Sequence, residues 1–439
     1  MSGRHLLLTA WAFAPARTSG VYRAIGLANA FASRGWDVTV LTAPEKTFAD
    51  EGVIDASLSE QIHDRVRTVH VPFSSGLYAS DVAEWSRTQA RFPELWGAVR
   101  GLPFPEAGFG GWRRALARAA DRVHRTTRVD LTLGTASPSV DFIPGWHLKR
   151  RHGVPNIMDY RDAWTIDVFT GGRNPRATRR SEQWESRLID SADQVWFVNE
   201  PIRGWHAAKY PLAADRMRVV SNGFDVVDGQ SPAVPMVDHV PGRPLTFGYL
   251  GTINHGQFPT EALLAGWTRA RERSTELAGA RLVLRGYLGR TGIADEHLED
   301  FLRRGAAVGI AYEGPVAKAQ IQDVYATFDA LVLALASGPG VTSGKVFEFA
   351  ATGLPVVSVH DPSSAASAVM EGSPVWSPTA SMGPDDIADA LIVGAERART
   401  QTAQSRAEAI SWGAQWERGH QLQSAVDGAE RLLATGGGR

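Results

Sequence analysis

A strand, a glycine turn, an amphipathic helix and a second strand follow one another within the first 41 residues, and this unit constrains the fold most. Residues 4–9 hold the apolar run Leu6-Leu7-Leu8. Ser19-Gly20 turns the chain into a helix over 20–34, where Val21, Ala24, Ile25, Ala28 and Phe31 recur at helical spacing. Gly35 stops it, and Trp36-Asp37-Val38-Thr39-Val40-Leu41 reads as the next strand. A βαβ unit implies a parallel sheet with a right-handed crossover. The same N-terminal stretch, Leu6 to Phe13 followed by Ala14-Pro15-Ala16, imitates a short signal peptide. The strand is the better reading, because the helix that follows needs a partner strand.

The alternation continues. Strands read at 66–71, 129–133, 155–159, 194–198 and 217–221, with helices between them. Residues 73–110 interrupt it with Phe73, Tyr78, Trp85, Phe92, Trp96, Phe104 and Phe109 among prolines and glycines. Such an insertion either lines a site or packs as a surface excursion. Pro232, Pro235 and Pro241 mark residues 226–243 as a linker. A second series follows, with strands at 245–250, 281–285, 308–313, 329–335 and 354–359. The class is therefore α/β. The expected domains are 1–225, the linker 226–243, a second domain 244–400, and a helical segment 401–439. Trp412, Trp416, Leu422 and Leu432 suit that segment for docking back toward the N-terminal domain. A chain of 439 residues is long enough for two such domains.

Composition removes several chemistries. There is no cysteine, hence no disulfide, thiolate nucleophile or cysteine metal site. The formal net charge of −1 offers no reason to bind nucleic acid. No apolar run reaches the ~20 residues of a membrane span. A cytoplasmic location fits these features. No D-x-D triplet and no zinc-spaced histidine pair occurs, so no metal is expected.

The segment from Ser337 to Val357 carries the clearest chemistry. A buried strand, Leu331 to Leu335, runs into a glycine-rich loop, a helix and a further strand. Glycines admit a ligand close to the backbone, and helix N-terminal amides favour a diphosphate. Lys345 falls in the first helical turn, with Glu348 one turn later on the same face. A cation for phosphate and a carboxylate for ribose hydroxyls make a nucleotide clamp. The same spacing also describes a solvated Lys–Glu pair.

In the first half, Asp159, Arg161 and Asp162 follow a strand at its carboxyl end, where open α/β sheets bind ligands. They read either as a site, with Asp162 orienting an acceptor hydroxyl or acting as base, or as an ion pair closing the domain. His255 near Gly251 could reach a phosphate, although a loop histidine is more often solvated. Asn222-Gly223 is a turn and a hinge candidate. The helix from Trp112 carries Arg114, Arg118, Arg122 and Arg125 on one face, suited to anionic lipid or simply to water.

The segment resembles the donor-site signature of retaining glycosyltransferase family four. Gly344-Lys345, Glu348, Ala350 or Ala351, Gly353 and Pro355 match in register. Tyr249-Leu250-Gly251, Ser221-Asn222-Gly223-Phe224-Asp225, Ser19-Gly20 and Met158-Asp159-Tyr160-Arg161-Asp162-Ala163-Trp164 extend the resemblance over most of the chain. It implies a GT-B fold, two Rossmann-like domains facing each other across a cleft. Glu348 would hold the nucleotide ribose. Gly340, Val341, Thr342, Ser343 and Gly344 would face the sugar or diphosphate. Ser19 and Gly20 would close over the diphosphate from the other domain. Gly251 and Thr252 complete the expected donor surface.

Two departures stand out. Many members carry a second glutamate where this chain has Gly340, and Arg and Lys where it has Thr252 and Gln257. Phosphate charge then falls to Lys345, to helix amides, or to Arg285 or Arg290 around Gly286. Asp162, Lys345 and Glu348 are the candidate catalytic residues, and Asp159, Arg161 and Asp162 form the acceptor side.

The implied reaction moves a sugar from a nucleoside diphosphate sugar, UDP- or GDP-linked, to an acceptor hydroxyl or amine with retention. Bacterial glycan or natural-product biosynthesis is the setting, and the acceptor is a small molecule or a lipid-linked glycan. The sugar nucleotide is a co-substrate, and no cofactor is expected. Peripheral contact with an anionic membrane is compatible with the basic helix. The alternatives are a nucleotide-sugar epimerase or phosphorylase on the same fold, or a non-catalytic partner subunit.

Overall fold

A computed structural model describes residues 3–50, 52–73, 91, 104–226, 231–236, 242–254, 256–289, 295–317 and 320–436. Most of the 73–110 insertion, together with His255 and Arg290, lies outside the described residues.

The chain forms two compact units. One joins Met1–Ser221 with Leu422–Arg439, and the other is Asn222–Gln421. In the first, strands β1 (His5–Thr9), β2 (Asp37–Thr42), β3 (Val66–His70), β4 (Leu131–Ala136), β5 (Asn156–Tyr160), β6 (Gln194–Phe197) and β7 (Met217–Val219) build a sheet in the order β3-β2-β1-β4-β5-β6-β7. Each pair is parallel, with Leu7 opposite Thr39 on one side and Thr132 on the other. All five residues of β1 are buried, as a parallel strand covered on both faces requires. The following helix, α1 (Val21–Ser33), turns Val21, Ala24, Ile25, Ala28 and Phe31 into the core.

In the second unit, β8 (Thr246–Leu250), β9 (Arg281–Arg285), β10 (Ile310–Tyr312), β11 (Ala330–Ala334), β12 (Val356–Val359) and β13 (Trp376–Ser377) form a parallel sheet in the order β10-β9-β8-β11-β12-β13. The strand β13 has only two residues, too few to show a sequence period. Each unit is a Rossmann-like α/β layer structure with its own apolar cores.

The proline-rich segment is more than a tether. Val234 is buried in the second unit, and its amide donates to the Thr352 carbonyl at 2.9 Å. The C-terminal segment divides between the units. Trp412 and Trp416 pack on the second unit's core, while Leu422, Ala425, Val426 and Ala429 are buried in the first. There Gln194 donates to the Gly428 carbonyl at 3.1 Å, and the Trp36 indole donates to Glu430 at 3.1 Å.

Candidate functional site

Both strand orders contain a reversal point, and the candidate residues gather there. In the second unit the chain runs outward through β8, β9 and β10, then returns to β11 beside β8. Loops leaving the carboxyl ends of β8 and β11 therefore splay apart, which opens a crevice for a ligand. Gly251 and Thr252 lie on the first of these loops, and the stretch from Ser337 to Ser343 on the second. The loops touch where the Ala336 amide donates to the Gln257 carbonyl at 2.8 Å.

Ser343 caps the helix Gly344–Thr352, its hydroxyl accepting from the Lys345 amide at 3.3 Å. Lys345 thereby falls in the first turn, where its charge opposes the helix dipole. Its ammonium donates to Glu348 Oε2 at 2.6 Å, and both side chains remain nearly a third exposed. The same Glu348 oxygen accepts from Tyr325 Oη at 3.0 Å. Tyr325 is fully buried, and burial together with the Glu348 charge pushes its hydroxyl well above the usual tyrosine range. It stays a protonated donor. The carboxylate is thus fixed from two sides and keeps acceptor capacity facing solvent.

Gly286 follows β9 with φ of 137°, and a Cβ there would stand 1.9 Å from the Gly251 carbonyl oxygen. Only glycine allows the β8 and β9 loops this approach. Arg285, an expected phosphate ligand, donates instead to Glu313 Oε2 at 3.2 Å, while its buried Nε has no hydrogen-bond partner among the described residues. Ser337 Oγ and Asn254 Oδ1 are likewise buried without partners. Three orphaned polar atoms, one on the last residue of β9 and two on the loops after β8 and β11, are groups that a polar ligand would satisfy. Gly340 is buried in the turn before Ser343, with Val341 and Thr342 half-buried beside it.

In the first unit the reversal lies between β1 and β4. A pocket of about 190 Å³ sits there, lined by Trp11, Ser19, Gly20, Thr135, Arg161 and Asp162 among others. The structure thus joins Ser19 and Gly20, expected on the donor side, with the expected acceptor pair. A Cβ on Gly20 would fall 1.4 Å from Arg161 Nη1, so the guanidinium lies against bare backbone. Arg161 Nε donates to the Ala136 carbonyl at 3.2 Å, and Nη2 donates to the Ser137 carbonyl. Asp162 is exposed at the pocket.

Asp159 departs from its expected place on the acceptor side. It is 0% exposed, and the Arg23 fork holds both its oxygens, Nε to Oδ2 at 2.8 Å and Nη2 to Oδ1 at 2.6 Å. Thr135 donates to Oδ2 at 2.7 Å. Arg23 also donates to the carbonyls of Val220 and Ser221. Asp159 therefore ties α1 and the end of the β7 strand to β5, and it positions Arg161 two residues on. The ion-pair partner of Asp159 is Arg23, not Arg161.

Two buried carboxyls near this pocket escape sequence reasoning. Asp141 accepts from the Trp11 amide at 2.7 Å, and its other oxygen has no hydrogen-bond partner among the described residues. Burial raises it well above the carboxylate range; the Trp11 amide opposes this and the Glu106 charge adds to it. Glu106 accepts from the Ser139 and Val140 amides at 2.8 Å each, yet burial pushes it up to about 7. Among the described residues no group of three or more His, Asp or Glu side chains could hold a metal ion, and no helix is long and apolar enough to cross a membrane.

Residues 21–228 match the model of Glycosyltransferase Family 4, the stretch that contains α1, the Arg23–Asp159 pair, and Arg161 and Asp162 of the pocket. Over these residues the chain is similar to Glycosyltransferase Family 4. Solved structures resemble the chain over both units. A glycosyltransferase from Rickettsia africae ESF-5 aligns with a TM-score of 0.63 at 10% identity, covering 99% of each chain. The sucrose-phosphate synthase of Thermosynechococcus elongatus aligns at 0.61 with 14% identity, over 98% of this chain and 100% of that one. A putative UDP-N-acetylglucosamine 2-epimerase from Listeria monocytogenes aligns at 0.52 with 10% identity, over 97% and 95%. At these identities the likeness carries the fold, which is GT-B. No curated protein matches the sequence. The Family 4 match runs from residue 21 to 228, so it covers Arg161 and Asp162 but neither Ser19 and Gly20 nor the Lys345–Glu348 loop and helix.

Proposed function

We propose that this chain is a retaining glycosyltransferase that moves a sugar from a nucleoside diphosphate sugar to an acceptor hydroxyl or amine. The observation that carries the reading is the Glu348 carboxylate, fixed by Tyr325 and Lys345 beside a glycine-rich loop at the second sheet's reversal point. A fixed carboxylate with free lone pairs suits two ribose hydroxyls. Loop amides from Gly340 to Gly344 and the Lys345 ammonium suit the diphosphate. A ligand that draws Lys345 onto phosphate would leave Glu348 to the ribose and to Tyr325.

On the first unit, Asp162 orients the acceptor and Arg161 shapes its pocket. With no enzyme nucleophile in view, the route is front-face attack, the leaving diphosphate taking the acceptor proton. The protein contributes position and electrostatic stabilisation of the leaving group. The reaction needs no metal and no cofactor, and the donor is UDP- or GDP-linked. The acceptor is a small molecule or a lipid-linked glycan, and the protein works in the cytoplasm, at the membrane surface where the acceptor is lipid-linked.

The likeness to an epimerase supports a second reading, nucleotide-sugar 2-epimerisation. A thermal-shift panel of UDP, GDP and their sugars on wild type and Glu348→Ala tests the first. One nucleoside diphosphate raises the melting temperature by a few degrees in wild type and much less in the variant. If no nucleotide stabilises the protein, the transferase reading falls. Conversion of the donor without acceptor favours the epimerase.

A further inference from the structure

Two helices of the first unit each begin with an arginine pair. Arg113 and Arg114 open the helix Arg113–Thr126, and Arg179 and Arg180 open the helix Arg179–Ser191. These four, with Arg187 two turns along the second helix, line one pocket of about 560 Å³. No residue lining it is acidic.

Its wall includes the Trp184 ring, 7% exposed. The Arg113 guanidinium lies 4.7 Å from that ring's centroid and the Arg187 guanidinium 5.7 Å. Stacking on an aromatic face orients a guanidinium while leaving its donor edge available. Arg114, Arg179 and Arg187 have no acidic partner among the described residues, whereas nearby Arg173 pairs with Glu182 at 2.7 Å.

Five like charges around one concavity repel one another, and two helix N-termini add positive potential. The crowding is felt at Arg113, which burial, then Arg114 and Arg180, hold below the usual arginine range. The chain as a whole carries a formal charge of −1, so this is a local concentration and no global excess.

The neighbouring basic face differs. Arg118, Arg122 and Arg125 line a separate pocket around Asp121, which pairs with His147 at 3.0 Å and Arg151 at 3.6 Å. The arginine stripe expected on one helical face is thus split between two environments, and among the described lining residues only the second includes a carboxylate.

We propose that the Arg113–Arg114–Arg179–Arg180–Arg187 pocket binds a multiply charged phosphate group, carried by a membrane lipid headgroup or by a soluble polyphosphate. Planar guanidinium forks meet phosphate oxygens bidentately, and the Arg114, Arg179 and Arg187 forks around one space suit more than one phosphate charge. The site is separate from the Asp162 pocket and does not depend on which reaction the chain catalyses.

The test uses the full-length protein at physiological salt. Inorganic tripolyphosphate is titrated by calorimetry, and vesicles of phosphatidylcholine with or without phosphatidic acid, whose phosphomonoester can carry two charges, are co-sedimented. Arg179→Ala/Arg187→Ala is compared with Arg118→Ala/Arg122→Ala, which removes equal charge from the other face. All four arginines are exposed, and unchanged melting temperatures verify folding. Two lost charge-assisted contacts weaken binding at least about tenfold in the first variant, with little change in the second. Tripolyphosphate binding alone identifies a soluble ligand, and vesicle binding alone a lipid one. Absence of binding to either probe, or equal loss in both variants, overturns the proposal.

Discussion

The Tyr325 hydroxyl donates to Glu348 Oε2 at 3.0 Å, from a short helix that precedes β11 by five residues. A buried phenol next to a carboxylate does one thing here: it removes the carboxylate's freedom to rotate. Tyr325→Phe keeps the ring and deletes the donor. Nucleotide binding should weaken by about fivefold, corresponding to roughly 1 kcal/mol for a hydrogen bond to a half-exposed carboxylate. Calorimetric Kd values for UDP and GDP check this. An unchanged Kd for whichever nucleotide binds would remove Tyr325 from the site.

Lys345 supports a different expectation from Glu348. Lys345→Ala frees the carboxylate and deletes a phosphate-side cation. It should therefore weaken nucleoside diphosphates while leaving the parent nucleoside's weak affinity nearly unchanged. Glu348→Ala should weaken both. Competition binding with the nucleoside and its diphosphate separates the roles, and equal losses in both variants would mean the pair acts only as a surface ion pair.

How far these features were legible depends on their range along the chain. Parallel strands covered on both faces show as continuous apolar runs, so Leu6-Leu7-Leu8 and Leu331 to Ala334 stand out. Lys345 and Glu348 are three residues apart and share a helix face, so local spacing brings them together. Arg23 and Asp159 are 136 residues apart, and nothing local marks them as partners. Tyr325 reaches Glu348 only because β11 and the glycine loop fold the chain back. Nothing in the local sequence marks Asp141, which is buried and accepts from the Trp11 amide 130 residues away. The C-terminal segment divides between units because Trp412 and Leu422, ten residues apart, dock on different cores.

The Arg23–Asp159 pair should be unforgiving to single changes. Asp159→Asn leaves a buried guanidinium without its counter-charge, which costs about 3–5 kcal/mol. Arg23→Met alone strands the carboxylate in the same way. The double variant Arg23→Met/Asp159→Leu should recover much of the loss, because it buries neither charge. Urea unfolding of the three variants measures this. Additive losses would contradict coupling across the pair.

Gly286→Ala tests the approach of the β8 and β9 loops. The added Cβ meets backbone at 1.9 Å in a conformation with φ of 137°, so neither side-chain movement nor a rotamer change relieves it. A loss of roughly 2–4 kcal/mol is expected. Gly344→Ala, where an added Cβ has nothing within 4 Å, is the control. It should leave the melting temperature close to wild type, and its effect on nucleotide affinity then reports how closely a ligand approaches that backbone.

The acid–base behaviour of the first unit follows from two carboxyls with opposite shifts. Glu106, raised from 4.5 to about 7 by burial against the pull of the Ser139 and Val140 amides, binds its proton more tightly folded than unfolded. Its favourable contribution is full below pH 4.5 and is lost as pH rises through 7. Glu185 runs the other way. Burial alone would raise it, but His206, Thr165 and Lys209 hold it at about 2. That contribution is full above 4.5 and disappears as pH falls through 2. Between pH 5 and 8 Glu185 stays ionised, Glu106 and the raised Asp141 favour the acid side, and His5 and His124, which burial holds below the usual histidine range, favour the alkaline side. The comparison that isolates Glu106 is the stability difference between wild type and Glu106→Gln, which should shift in favour of wild type as pH falls from 8 to 5. Melting temperatures of wild type and Glu106→Gln that keep a constant difference across this window would show that Glu106 is not held as described.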